Sequence, residues 1–423
     1  MKKILIISPH FPPSNLAAVH RSRLFAQHLP SFGWQPTILT VHKDFYEENL
    51  DHNLTKLLPV SLHIEKVGAF KTTKPRLIGD IGIRAFFQLY TKAKKIIKKD
   101  HFDFLYIPIP SFYVALLGRW LHETTGIKYG IDYIDPWVHD FPGSDKIFTR
   151  HWFSKHFARF LEPIAIKKAS LITGVAQGYY KGVQERNPAV AKKAVFAAMP
   201  YGGEKADHDA VKTIKIEPYL FSKKNTKIQL VYAGAMLPKA FMPLQKILSA
   251  ISTEREKFQH LELHFIGTGT SPGNAQGYNI KPLAEKYGLW QKNVFEYPAR
   301  IPYLDALVHL NAATGVFILG STEPHYTPSK VYQAILSQKP VWAVLHKEST
   351  ACNIIHKSGA GIVLEFSGEK DVNTIFENLA RSFDEFKRYA DAYNFNTVNQ
   401  TEFEKYSAKE VTAILADSLN KVC

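Results

Sequence analysis

The feature that most constrains this chain is a recurring order of short apolar runs, each followed by a loop and a segment of helical spacing. KKILIIS (2–8) ends in a Pro-Pro loop, HRSRLFAQHL (20–29) follows, and QPTILTV (35–41) is the next β-rich run. The order returns in FDFLYIPIP (102–110), VALLGRWLHETTG (114–126), IKYGIDYID (127–135) and LITGV (171–175). Strands alternating with helices predict a parallel sheet covered by helices on both faces. Residues 203–227, GEKADHDAVKTIKIEPYLFSKKNTK, are polar and irregular and read as a linker. The pattern then restarts in KIQLVYAG (227–234), LELHFIG (261–267), KNVFEYPA (292–299), TGVFILG (314–320), PVWAVL (340–345) and GAGIVLE (359–365). From about Asp384 the tail is helical in composition. A length of 423 residues suits two such domains. The expected spans are 1–205, 206–390 and a helical segment 391–423. Two open α/β domains are expected to hold a ligand in a cleft, beyond the carboxyl ends of their strands.

Several classes drop out. No run approaches the ~18 apolar residues of a membrane span. MKKILIISPHFPP opens with a basic end, but its apolar run, Ile4–Ile7, is too short for a signal peptide and reads as a first strand. Two cysteines, Cys352 and Cys423, suggest no disulfide framework and fit a reducing cytoplasm. There is no HExxH, paired CxxC, Walker A loop or GxSxG, and no recognisable nucleic-acid module. The net charge is +15, and residues 1–200 hold 28 Lys+Arg against 15 Asp+Glu, or +13, leaving only +2 for the rest. That excess implies an anionic partner for the first half. Its stretches 76–102 and 146–169 mix Lys and Arg with Phe, Tyr, Trp, Ile and Leu. Such helices lie on an anionic membrane surface, unless their aromatics face the core and their lysines face water.

Four loops carry candidate chemistry. SPHFPPSNLAAVHR (8–21) follows the first strand and offers His10, Asn15 and His20, but lacks the GxGxxG of a dinucleotide site. IDYIDPWVHD (131–140) places Asp132, Asp135 and Asp140 at the end of a strand. Asp132 and Asp135 can orient a hydroxyl or accept its proton; alternatively Asp135 caps a turn ahead of Pro136. YAGAMLPKAFMPLQKIL (232–248) has Gly234, which lets backbone approach a ligand, and Lys239, a point charge for a phosphate or an exposed loop lysine. EPHYTPSKVYQAILSQKPV (323–341) predicts a helix with Thr327 as N-cap and Pro328 at its first position, freeing the N–H groups of Ser329, Lys330 and Val331. Those donors suit an anion, with a hydroxylated group near Gln333, or else belong to an ordinary capped helix. IGTGTSPGN (266–274) is glycine-rich, and DHD (207–209) has the look of a metal-binding Asp-x-Asp but falls in the linker.

Taken together, SPHFPPSN, DYIDPW, VYAG…LPK and EPHYTPSKVYQAILSQKP resemble the family 4 retaining glycosyltransferases, over nearly the whole chain. PSKVYQAILSQKPV is similar to that family's PSK-x-x-E-y-l-a-x-G-k-P-v-i, and DYIDPW resembles the D-x-R-D-x-W of its surface-polysaccharide branch. The resemblance implies the GT-B fold: two Rossmann-like domains facing a central cleft, with a C-terminal helix crossing back to the first domain. It implies acceptor binding by the first domain and nucleotide-sugar binding by the second, with no metal and no cofactor beyond the co-substrate. Lys239 and Lys330 would neutralise the leaving diphosphate. Gly234, Glu323, His325, Ser329, Val331 and Gln333 would bind the donor, and Asp135, Asp132, His10 and Asn15 would face the acceptor. The implied activity is transfer of a sugar to a polyprenyl-linked or polysaccharide acceptor in bacterial surface glycan synthesis (lipopolysaccharide, capsule, exopolysaccharide), by a cytoplasmic protein peripheral on the inner membrane face. The chain departs from the pattern in places: the ribose-binding glutamate falls at Gln333, the first glutamate near His325 with Glu323 close by, the phosphate-binding arginine at Ala235, and the first-loop glycine pair at Leu16 and Ala17. A catalytically inactive GT-B protein that binds glycan or partner enzymes, and a GT-B epimerase or phosphorylase, are the alternatives.

Overall fold

The computed structural model describes residues 1–73, 78–109, 111–138, 146–224, 226–271, 273–324, 326 and 328–423. The chain forms two compact units, Met1–Gly202 with Ala408–Cys423, and Gly203–Ser407.

In the first unit seven parallel strands, β1 (Lys2–Ile7), β2 (Trp34–Val41), β3 (His63–Val67), β4 (Phe104–Ile109), β5 (Lys128–Tyr133), β6 (Leu171–Gly174) and β7 (Val195–Ala198), lie in the order β3-β2-β1-β4-β5-β6-β7. The central runs are apolar along their whole length because both sheet faces are covered: Ile4–Ile7 and Phe104–Ile109 are all buried. On one face Leu117, Leu121, Ala158, Ala165 and Ile166 of the helices Ala115–Thr125 and Arg150–Ile166 pack on Leu105, Ile107 and Ile131. The other face is closed by the last helix of the chain, Ala408–Val422, whose Val411, Leu415 and Leu419 join Ile4, Phe25, Trp34 and Tyr106. Two polar contacts fix that helix: Trp34 Nε1 donates to Asn420 Oδ1 at 3.2 Å, and Lys128 Nζ to the Val422 carbonyl at 2.7 Å. The return of the C-terminal helix to the first domain is thus observed, and the returning portion begins at Ala408.

The second unit repeats the plan with six parallel strands, β8 (Ile228–Ala233), β9 (Leu261–Ile266), β10 (Val294–Tyr297), β11 (Gly315–Leu319), β12 (Val341–His346) and β13 (Gly361–Phe366), ordered β10-β9-β8-β11-β12-β13. Its core joins Leu230, Phe265, Phe317 and Trp342 to the helices Phe241–Thr253 and Asn373–Asp391. Strand order reverses between β1 and β4 in the first sheet and between β8 and β11 in the second. At such a reversal the two following loops diverge to opposite faces and leave a crevice.

Two sequence expectations need revision. The stretch 203–227 is not wholly irregular: Lys205–Ile214 is a helix, its start capped by Glu204, which accepts from the Ala206 N–H at 3.0 Å. Its Asp207, His208 and Val211 are buried. The polar residues looked solvated because their partners, Tyr303 and Gln333, lie about 100 residues away in sequence. β3 and β7 escaped notice because HIEKV and VFAA are short edge strands with mostly half-exposed residues and no clean alternation. Among the described residues no helix is long and apolar enough to cross a membrane.

Candidate functional site

The reversal point of the second sheet gathers most of the candidate donor residues. β8 ends at Ala233, and Gly234 follows with φ +125°, a conformation that suits glycine. A Cβ at Gly234 would lie 2.5 Å from Lys330 Cε, so the missing side chain is what lets Lys330 lie across the end of the strand. Lys330 Nζ sits 4.6 Å from the centroid of the buried Tyr232 ring and 3.5 Å from the Ala235 carbonyl oxygen. The ring face and the carbonyl hold the ammonium in place while leaving donors for an anion. Further along the same connection Lys239 Nζ lies within 3.3 Å of Glu323 Oε1, and the Thr322 N–H donates to the Lys239 carbonyl at 3.2 Å. The loops after β8 and β11 are therefore tied together, with two ammonium groups and one carboxylate on them. Lys239 and Glu323 both remain partly exposed.

Behind Lys330, the half-buried Gln333 Oε1 is 2.8 Å from His208 Nε2. Burial lowers the His208 pKa, with hydrogen bonding to Gln333 acting against it. The imidazole is then held neutral, and its N–H orients the Gln333 carboxamide. His208 carries no sequence signal for this site, because it lies in a polar stretch whose burial depends on partners distant in the chain.

The helix start itself differs from expectation. Lys330–Leu336 has only seven residues, Ser329 occupies its N-cap, and the Ser329 side chain makes no capping bond. The Val331 N–H is not free: it donates to the Pro328 carbonyl at 3.1 Å, and the Val331 side chain is buried. Pro328 makes a tight turn ahead of the helix, and that turn consumes the donor. The Val331 N–H is thereby withdrawn from the candidate donor-binding groups. Thr327 and His325 lie outside the described residues.

In the first unit the expected acceptor-side residues separate. Asp132 is fully buried on β5 and accepts from Arg21 Nε at 2.5 Å, Arg21 Nη2 at 2.9 Å and Thr173 Oγ1 at 2.8 Å. Arg21 Nη1 also donates to the Pro200 carbonyl at 3.1 Å. Burial works against the Arg21 charge, and the Asp132 carboxylate outweighs it, so the guanidinium pKa is raised. Asp132 is corrected from an acceptor-facing residue to one half of an internal ion pair: the alternation of β5 turns it into the sheet. Asp135, three residues on, is exposed, while Trp137 is buried and its ring stacks on Phe112 with centroids 6.0 Å apart. Asp140 lies outside the described residues.

The loop after β1 holds a second polar group. His10 Nδ1 is 2.9 Å from Glu48 Oε1, Ser14 Oγ donates to the same oxygen, and the His10 ring lies 5.1 Å from that of Tyr46. Asn15 is buried. Burial alone would raise the Glu48 carboxyl, but the hydrogen bond and charge of His10, with the Ser14 hydroxyl, bring it down to about 2 from 4.5. A carboxylate depressed in the folded chain adds stability that is complete above its unfolded value and lost as pH falls through the folded one. Acid titration followed by fluorescence should therefore show this contribution vanishing between about pH 4.5 and 2. Glu48→Gln should flatten that branch, and an unchanged acid profile would exclude the pairing. Glu48 lacks any motif, so only proximity reveals it.

The remaining candidates have structural explanations. The glycine-rich loop at 266–274 is anchored by buried Glu296, which accepts from Thr268 Oγ1 at 2.9 Å and from the N–H groups of Asn279, Ile280 and Lys281 at 3.0, 2.9 and 2.8 Å. Within DHD, Asp207 accepts from the Tyr303 hydroxyl at 2.9 Å and Asp209 pairs with Lys212 at 3.2 Å. Among the described residues no group of three or more His, Cys, Asp or Glu is placed to hold a metal ion.

No family model and no curated protein matches this chain. Solved structures do match along its whole length. A glycosyltransferase from Rickettsia africae ESF-5 superposes with a TM-score of 0.62 at 14% identity, covering 100% of this chain and 98% of that one. HepE from Anabaena, solved with UDP, gives 0.59 at 13%, covering both chains completely. Sucrose-phosphate synthase from Thermosynechococcus elongatus gives 0.62 at 13%, covering 100% and 99%. This chain has the GT-B glycosyltransferase fold. At these identities the likeness concerns the backbone; the GT-B fold serves several chemistries, so activity has to be argued from the site.

Proposed function

We propose that the protein is a retaining glycosyltransferase that takes its sugar from a nucleotide-sugar. The observation that carries this reading is the meeting of Gly234, Lys239, Glu323 and Lys330 at the carboxyl ends of β8 and β11, where the strand order of the second sheet reverses. Departure of a nucleoside diphosphate adds a negative charge to a diphosphate that already carries two. Lys330 and Lys239 supply two positive charges on tied loops, with donors already oriented. Glu323 and the His208-oriented Gln333 accept or donate hydrogen bonds to sugar and ribose hydroxyls. HepE was solved with UDP-glucose, which supports a donor of that class here. Asp135, exposed at the end of β5, would orient the acceptor hydroxyl. The acceptor in this reading is a polyprenyl-linked or polysaccharide chain of a bacterial surface glycan, met at the cytoplasmic face of a membrane.

Calorimetric titration with UDP, GDP, ADP and CMP tests the donor site. One nucleotide is expected to bind saturably. If none binds at millimolar concentration, the nucleotide-sugar reading falls, and a glycan- or partner-binding protein without turnover takes its place. Ala235 and Gln333, neutral where the family has Arg and Glu, favour that second reading.

A further inference from the structure

The helix Arg150–Ile166 has two apolar faces, and the sheet needs only one. Ala158, Ala165 and Ile166 are buried against the core of the first unit. Phe153, Phe157, Phe160 and Ile164 are exposed, Phe157 at 56% and Phe160 at 67%. Their spacing of four, three and four residues puts them in a single stripe along the outer side. Just ahead of the helix Ile147 and Phe148 are exposed as well, at 66% and 78%. The neighbouring helices continue the surface: Ala115–Thr125 packs between Arg150–Ile166 and Phe86–Asp100, and exposes Trp120, while Phe86–Asp100 exposes Phe87. The charge around the stripe is predominantly positive, and the exposed Glu123 of Ala115–Thr125 is paired with Arg119. Residues 146–169 contain six Lys+Arg and a single acid, Glu162, which is buried and bonded to Arg186 at 2.8 Å. Phe86–Asp100 adds five lysines and one acid. The aromatics of this stripe face outward and not into the core.

We propose that this face docks on an anionic lipid bilayer, with Phe153, Phe157, Phe160 and Ile164 entering the boundary between headgroups and acyl chains. It deepens the membrane-peripheral part of the proposed function and rests on that part alone. A bilayer fits where a second copy does not: two copies would bring like-charged rims together, whereas anionic headgroups complement them. Aromatic side chains in one stripe, with cations around it and no exposed carboxylate on the helix, match an interfacial helix.

Flotation of the intact protein with vesicles tests this without donor or acceptor, so its outcome is independent of nucleotide binding. Phosphatidylglycerol–phosphatidylcholine vesicles should bind at low salt, and phosphatidylcholine alone should not. Raising salt to ~0.5 M should weaken binding by screening. Phe157→Ser with Phe160→Ser should weaken it about 100-fold, roughly tenfold per lost side chain. Arg159→Glu with Lys167→Glu should weaken it by about tenfold or more and spare the apolar stripe. Melting temperature checks that both variants fold. Absence of binding to the anionic vesicles, or binding unchanged in the Phe pair, overturns the proposal. So does light scattering that shows a dimer lost in the Phe pair with no vesicle binding, which would make the face an interface between copies.

Discussion

Lys330→Ala is expected to lower sugar transfer by about 100- to 1,000-fold, the loss typical of removing one oriented group from a site of developing negative charge. The geometry supports so large an effect. Lys330 Nζ is held over the Tyr232 ring and by the Ala235 carbonyl, and Gly234 has no side chain to push it away. The group is thus already placed before a substrate arrives, and little reorganisation is needed at the moment of reaction. Nucleoside diphosphate affinity should fall with it, because the same charge meets the diphosphate in the ground state. Lys239→Ala should cost less, since that lysine is shared with Glu323. Melting temperature should barely move in either variant. Rates measured with a radiolabelled donor decide the point: unchanged turnover in Lys330→Ala removes the phosphate role and with it the strongest argument for catalysis.

Asp132→Asn is expected to destabilise the first unit by about 3–5 kcal/mol, because it leaves the Arg21 charge buried without its counter-ion. Arg21 is 3% exposed and Asp132 is fully buried, so water cannot replace the lost partner. Calorimetric melting should fall by roughly 10 °C for a unit of this size. Adding Arg21→Met to the asparagine variant should recover part of the loss, since removing both charges costs less than stranding one. The experiment also separates two views of Asp132. A variant that melts like the wild type but no longer transfers sugar would return the residue to the acceptor site, and the internal pair would be a minor feature.

How much of the molecule could be read from its letters differs by element. The apolar runs at 2–8, 102–110, 127–135 and 314–320 became central parallel strands, because burial on both faces demands uninterrupted apolar sequence. HIEKV and VFAA, on the edges, carry no such signature. Gly234 and Lys239 stand out in a turn after a strand and Lys330 at a helix start, whereas Glu323 is a candidate only through the resemblance of its stretch to the family 4 pattern. Glu48 and His208 do not stand out, since each gains its meaning from a partner 38 or 125 residues away in the chain. Asp132 and Asp135 look equivalent in IDYIDPW, yet one is sealed against Arg21 and the other is exposed.

The sequence by itself determined the two-unit parallel α/β plan, the basic bias of the first half and the loops where chemistry would sit. These depend on hydrophobic period, composition and turn chemistry, all local along the chain. Only the tertiary structure decided which polar groups are consumed and which are offered. The Val331 N–H is consumed by Pro328 and Asp132 by Arg21, while Lys330 is aimed past a glycine and Phe157 and Phe160 face outward. Pairing and exposure are properties of distance in space, set by how strands order and helices pack.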